Sequence, residues 1–276
     1  MKCVISSTYD SKYLYFLPIV TFCWNKLGVD VICFMPKFAE GHDIGGGEWW
    51  LKKSALVHKV TVNLCPNTRI AYFHCQDNKQ STYAQCSRLY AACLNLPEDE
   101  QLVVSDIDMI FFKKDYILPA VNGIIDVYGA DLVPLLQYPM CYLSGSVKTW
   151  RDLVGDGTYQ EHLDNLLGKI ECESFRGNYW GKDQEEIYRL LQFSDSVDYS
   201  LHNRAKPGTQ FATNRYDRDD AFLLDRLSLD TIDYHLPRPG YEENNFNQIL
   251  SVLTFHYPQE DFTWLINYRN EYLKLL

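Results

Sequence analysis

Two aspartates one residue apart interrupt an apolar run, Leu102-Val103-Val104-Ser105-Asp106-Ile107-Asp108-Met109-Ile110-Phe111-Phe112. Residues 102–104 read as a buried strand, and residues 109–112 resume the apolar character. Carboxylates in such a setting are costly unless a cation pairs with them. If the backbone is extended, residues two apart point to one side. Asp106 and Asp108 are then expected to aim at one point beyond the strand's carboxyl end. Oxygen ligands of this kind suit a hard divalent cation, Mg²⁺ or Mn²⁺, that commonly also takes phosphate oxygens. The plainer reading is a strand ending in a polar turn with two solvated carboxylates.

Ser105-Asp106-Ile107-Asp108-Met109 resembles the metal-binding motif of GT-A-fold glycosyltransferases, which move a sugar from a nucleotide-sugar donor to an acceptor. The resemblance implies a GT-A-like (Rossmann-like) α/β fold, a Mn²⁺ (or Mg²⁺) cofactor, and a glycan or glycoprotein acceptor. UDP is the nucleotide that Mn²⁺-dependent members most often use. It also implies roles for residues of this chain. Asp108 contacts the metal and Asp106 holds the metal or the ribose, with Ile107 between them at the donor. His256 is the late histidine expected as third metal ligand, since neutral imidazole suits Mn²⁺. Ser7 at the end of the first strand, with Thr8 and Tyr9 in the loop after it, frames base and ribose. Arg88 steadies the diphosphate or sugar. Gly145 and Ser146 lie in a segment like the family's donor-sugar strand, where glycine permits close backbone approach. Asp183-Gln184 resembles the Asp-Gln found at a helix start in many members. Asp183 would be the general base of an inverting enzyme or would orient the sugar in a retaining one. Each has an ordinary reading beside it: Arg88 as a surface ion pair, Asp183 as N-terminal helix acidity, His256 as a structural histidine.

The elements expected to carry these residues follow from periodicity and punctuation. Residues 3–7 read as a strand, 12–27 as a helix closed by Gly28, and 29–34 as a second strand. That order predicts a βαβ unit within a mixed, mostly parallel sheet flanked by helices. Ligands of doubly wound sheets sit beyond the carboxyl ends of the strands, where both residues 8–10 and the Asp-x-Asp set belong. Tyr83, Cys86, Tyr90 and Cys93 recur at helical spacing, with Arg88 off that stripe. Residues 131–136, 142–147 and 252–258 read as further strands, and 187–191 as helix. The glycine-rich stretch 41–47 reads as a mobile loop, Trp49 and Trp50 as candidates for stacking on a sugar, and 200–220 as a long loop on the acceptor side.

The 276 residues are expected to form one domain, with a nucleotide-binding half over about 1–110 and a donor-sugar and acceptor half over about 111–276. Against 26 Lys and Arg stand 36 Asp and Glu, a formal charge of −10 that disfavours nucleic acid and anionic membrane as partners. Nine scattered cysteines without a Cys-x-x-Cys pair suggest reduced thiols and no zinc site. The stretch 13–24 is apolar but falls short of the ~20 residues of a membrane span. No transmembrane anchor and a cytoplasmic location are therefore expected. Secretory glycosyltransferases usually carry an anchor, so the chain departs from them. It looks more like a bacterial, viral or cytosolic enzyme, and most like the capsid-glycan glycosyltransferases of large algal DNA viruses. Three other functions compete. A haloacid-dehalogenase-like phosphatase also ends a strand in Asp-x-Asp, but wants a small pair where Met109-Ile110 stand. A sugar-nucleotide pyrophosphorylase needs a glycine-rich basic loop after the first strand, and Ser6 to Lys12 contains no glycine. A non-enzymatic sugar-binding module needs no clustered carboxylates.

Overall fold

A computed structural model describes residues 1–37, 48–75, 79–168, 181–209, 211–220 and 223–276. The 41–47 loop, residues 178–180 and the side chains of Trp49 and Trp50 lie outside the described residues. In chain order the elements are β1 (Lys2–Ser6), α1 (Ser11–Leu14), α2 (Leu17–Lys26), β2 (Asp30–Lys37), α3 (Glu48–Leu64), β3 (Arg69–His74), α4 (Gln80–Ser87), β4 (Gln101–Val104) and β5 (Met109–Phe111). There follow β6 (Ile124–Tyr128), β7 (Leu143–Ser146), α5 (Val147–Val154), α6 (Tyr159–Leu167), α7 (Lys182–Gln192), β8 (Asp198–His202), β9 (Arg215–Tyr216), β10 (Asp233–His235), α8 (Glu243–His256) and α9 (Thr263–Leu273).

The main sheet has the order β3-β2-β1-β4-β7-β6-β8, and β5-β10-β9 form a small second sheet. Strands β3, β2, β1 and β4 run parallel, β7 is antiparallel to both β4 and β6, and β6 and β8 are parallel. The fold is thus a mixed, mostly parallel α/β sheet flanked by helices, as expected. Alternation along each strand builds two cores. Cys3, Ile5, Val31, Cys33 and Val103 face a core shared with α2, α8 and α9. Val4, Ile32, Phe34, Leu102 and Val104 face one shared with α4, α5, α6 and α7. A strand buried on both sides has no polar face, which is why the sequence reads there as continuous apolar runs.

The tyrosines largely fill these cores. Tyr15, Tyr128, Tyr142, Tyr234, Tyr268 and Tyr272 are fully buried, and Tyr15 stacks on Tyr268 with ring centroids 5.1 Å apart. The described cysteines are free thiols. Among the described residues no helix is long and apolar enough to cross a membrane.

Three expected elements differ. The 12–27 helix is divided into α1 and α2 just before Pro18, which sits in the first turn of α2, where a missing N–H costs nothing. Residues 131–136 form a short 3₁₀ turn and loop, and the strand in that region is β6. Residues 252–256 close helix α8. Phe246, Ile249, Val252 and Leu253 are buried at helical spacing, so a tertiary face, not β-branched content, decided their conformation.

The second sheet is locked by a buried charge cluster. Asp233 is fully buried and accepts from Arg204 Nη1 at 2.7 Å and from Arg215 Nε and Nη2 at 2.9 and 3.0 Å. Burial alone would raise its pKa, but the two guanidiniums outweigh that and hold it well below the carboxylate range. A carboxyl with a depressed folded pKa stabilises the fold above its unfolded value, near ~4, and loses that contribution as pH falls through the folded value. Asp233→Ala is expected to cost about 3–5 kcal/mol in urea denaturation, because two guanidiniums are left uncompensated. Asp233→Asn should flatten the loss of stability below about pH 4.

Candidate active site

A cleft of about 410 Å³ opens where the carboxyl ends of β1 and β4 meet. Its lining includes Ser7, Thr8, Arg88, Asp106, Ile107, Asp108, Asp183 and Gln184, which were all expected at the site. Tyr13, Arg218, His235 and Arg238 line it too and were not singled out from sequence.

The Asp-x-Asp segment is a turn between β4 and β5, not extended strand: Met109 N–H donates to Asp106 O at 3.3 Å. Ile107 is buried, and the two carboxylates diverge toward different cations. Asp106 accepts from Arg88 Nη1 at 2.5 Å. Asp108 accepts from Arg218 Nη2 at 3.0 Å, with Arg238 Nε 3.5 Å and His235 Nε2 3.6 Å from the same oxygen. Burial raises the Asp106 carboxyl, but Arg88 outweighs it and the net shift is downward. Burial and the neighbouring Asp106 raise Asp108 despite the two arginines.

Arg88 corrects its expected role. Its side chain is only 4% exposed. It donates through Nε to Gln85 O, through Nη1 to Ser105 O and Asp106, and through Nη2 to Asp183 Oδ2 at 2.7 Å. A guanidinium with four of its five N–H groups so engaged orients two aspartates and has little left to offer a phosphate. Arg88 opens a 3₁₀ turn over Arg88–Cys93 that follows α4 and is itself buried there, although the helical stripe read from the sequence leaves it out.

Asp183 sits in the first turn of α7, which starts at Gly181 with φ 88°, a conformation glycine adopts without strain. Its Oδ1 accepts from Gln184 N–H at 2.9 Å and its Oδ2 from Arg88. Burial raises its pKa in spite of Arg88. Buried this deeply and with both oxygens engaged, the carboxylate is held in a fixed orientation.

Four expected residues lie elsewhere. Gly145 and Ser146 pair with Leu102 and Gln101, at the start of β4, while Asp106 follows its end. Because β7 runs antiparallel, its beginning rather than its end approaches the cleft, and Met140 lines it. Ser146 caps α5 by accepting from Thr149 N–H, and a Cβ on Gly145 would stand 2.5 Å from Ile125 Cδ1, so that glycine serves packing. Tyr9 turns away into a neighbouring cavity between α3 and β2, where its hydroxyl donates to Pro36 O at 2.9 Å. His256 ends α8 and stacks on Phe112 at 3.7 Å, away from the cleft lining.

His235 is the imidazole that reaches Asp108. It ends β10, whose Asp233 is pinned by the buried cluster, and Leu236 N–H donates to Asp108 O at 2.8 Å, which fastens the two segments together. Burial, with Arg218 and Arg215 nearby, pushes its pKa down to about 4, so it is neutral at pH 7. Arg218 Nε donates to its Nδ1 at 3.2 Å, which leaves the proton on Nε2, toward Asp108.

Donor types for a divalent ion are therefore present in Asp106, Asp108 and neutral His235. Among the described residues, however, no three such side chains are gathered around one point. Asp108 is engaged by Arg218 and Arg238 and Asp106 by Arg88, so the donor types suit a divalent ion while their arrangement does not gather them around one.

Loss of Arg88 should strand two carboxylates. Arg88→Met is expected to cost about 3–5 kcal/mol in urea denaturation. Adding Asp183→Asn should recover part of that loss, since residues sharing an ion pair couple.

No protein-family model and no curated protein matches the sequence. Among solved structures the chain is similar to the galactosyltransferase LgtC in complex with donor and acceptor sugar analogs, at 10% identity over 85% of this chain and 86% of that one, with a TM-score of 0.45. It is similar to an active-site mutant of LgtC at 9% identity over 91% and 95%, TM-score 0.49. It is also similar to the glycosyltransferase GlyE of Streptococcus pneumoniae TIGR4, at 13% identity over 99% of this chain and 64% of GlyE, TM-score 0.45. These neighbours are glycosyltransferases; likeness of this degree identifies no reaction, which the chemistry of the cleft has to supply.

Proposed function

We propose that the chain is a GT-A-type glycosyltransferase that moves a sugar from a nucleotide-sugar, a UDP-sugar first, to a glycan or glycoprotein acceptor. The observation that carries this reading is one cleft at the carboxyl ends of β1 and β4 in which Asp108 of the Asp-x-Asp set meets Arg218 and Arg238 while Asp106 meets Arg88. Such a cleft takes a ligand that is itself anionic and cation-bridged, as a diphosphate is.

In this reading Ser7 and Thr8 meet the nucleoside. Their loop is held by Ser7 Oγ donating to Thr8 O and by Asp10 N–H donating to Thr8 Oγ1. Asp106, Asp108 and His235 are the side chains that would hold Mn²⁺ or Mg²⁺. When bound, such an ion neutralises the charge that develops on the departing diphosphate. Asp183, fixed by Arg88, accepts hydrogen bonds from hydroxyls of the donor sugar beside Gln184 and orients them. The general-base role first weighed for Asp183 gives way to this one, and an orienting carboxylate is the part expected in a retaining enzyme. A capsid-glycan acceptor, as for the algal-virus enzymes that the sequence resembles, stays within this reading.

The test is a thermal-shift screen with UDP-, GDP- and dTDP-sugars, each with Mn²⁺ or EDTA, followed by a transfer and donor-hydrolysis assay. A ligand that binds only the folded state raises its stability by mass action. A Mn²⁺-dependent shift with one nucleotide series is expected, and Asp108→Ala should lower turnover by at least about a hundredfold. No shift with any donor, together with hydrolysis of a simple phosphate ester, would replace this reading with a phosphatase.

A further inference from the structure

The proposed function leaves the arginines on Asp108 unexplained. Arg218 comes from the loop after β9 and Arg238 from the segment after β10, and both reach the same carboxylate oxygen. Arg238 also donates to the Tyr13 hydroxyl and lies over its ring at 5.1 Å. Arg218 spends Nη2 on Asp108 and Nε on His235. Its Nη1 is buried and has no hydrogen-bond partner among the described residues. A buried guanidinium N–H without a partner is costly, so it marks a place where an acceptor is missing. Two guanidiniums thus converge on one carboxylate oxygen at the cleft.

The geometry points to Arg218 and Arg238 as a diphosphate-binding pair that Asp108 holds as a stand-in anion until the donor arrives. This deepens the nucleotide-sugar reading and rests on it for the source of the diphosphate. Phosphate oxygens suit the planar fork of arginine at least as well as a carboxylate does, and they bring more charge. On donor binding the two arginines pass from Asp108 to the phosphates. The same exchange uncovers Asp108 and frees His235 Nδ1 from Arg218. The carboxylate becomes open to a divalent ion at the moment its phosphate partner is present. Anion and cation sites are therefore coupled through a single side chain.

Coupling of this kind has a sign that a purely metal-mediated site lacks. Asp108 competes with the diphosphate for the arginines, so removing its charge should tighten metal-free binding. The probe is inorganic pyrophosphate, followed by titration calorimetry in EDTA, with UDP in parallel. Wild-type protein is expected to bind pyrophosphate without metal. Arg218→Gln/Arg238→Gln should weaken it by about tenfold or more, the loss expected when charge-assisted hydrogen bonds are removed. Arg218→Lys and Arg238→Lys keep the charge without the fork, so they should fall between, which guards against a folding defect. Asp108→Asn should bind pyrophosphate more tightly than wild type in EDTA and lose any Mn²⁺-dependent gain. Unchanged affinity in the Gln variants, or weaker metal-free binding in Asp108→Asn, would overturn the inference. Its failure is distinguishable from that of the proposed function. Sugar transfer with arginine variants that bind pyrophosphate normally removes this inference alone. Arginine-dependent pyrophosphate binding without transfer from any nucleotide-sugar removes the glycosyltransferase reading and leaves the anion site.

Discussion

Arg88 is the interaction on which the cleft depends. Three aspartates of the site would repel one another and resist burial if they stood alone. Arg88 joins two of them, Asp106 from the turn after β4 and Asp183 from the start of α7. It is anchored from behind by the carbonyls of Gln85 and Ser105. One buried guanidinium thereby ties α4, the strand end and α7 into a single unit. Helix α7 belongs to a different part of the chain from β4, and this bridge carries its carboxylate to the cleft. The third aspartate, Asp108, is left for cations that come from elsewhere.

Those cations arrive by a second device. Asp233, buried between Arg204 and Arg215, fixes β9 and β10 against β5. Arg218 lies three residues beyond Arg215, and His235 two beyond Asp233. The charge cluster thus sets the position of the side chains that meet Asp108, although none of its members lines the cleft. A buried pair of this sort adds little net stability over a hydrophobic substitute. Here it stands next to the segments whose register the site requires.

The Asp-x-Asp set, the loop after β1 and Asp183-Gln184 were legible in the sequence because each is a local departure from its surroundings. Carboxylates within apolar residues, polar residues after a strand and acids at a helix start all announce themselves within a few positions. Arg88 was legible as a cleft residue, but its role was not. A phosphate ligand and a buried bridge need the same residue type at the same spacing. Tyr9 was misplaced for a similar reason, because the residue after Ser7-Thr8 turns to the opposite side of the strand end.

The sequence by itself determined the α/β alternation, the strands at the centre of the sheet and the place of the aspartates at a strand end. Those features follow from hydrophobic periodicity and the cost of burying charge, which act over a few residues. Only the tertiary structure decided the direction of β7, and with it that Gly145 and Ser146 lie at the wrong end of the sheet. Strand direction leaves no trace in a buried segment of four residues. It likewise decided that His235 rather than His256 meets Asp108, and that Arg218 and Arg238 converge there. These side chains stand more than a hundred residues from Asp108, and their meeting depends on the pairing of β5 with β10, which no local pattern encodes.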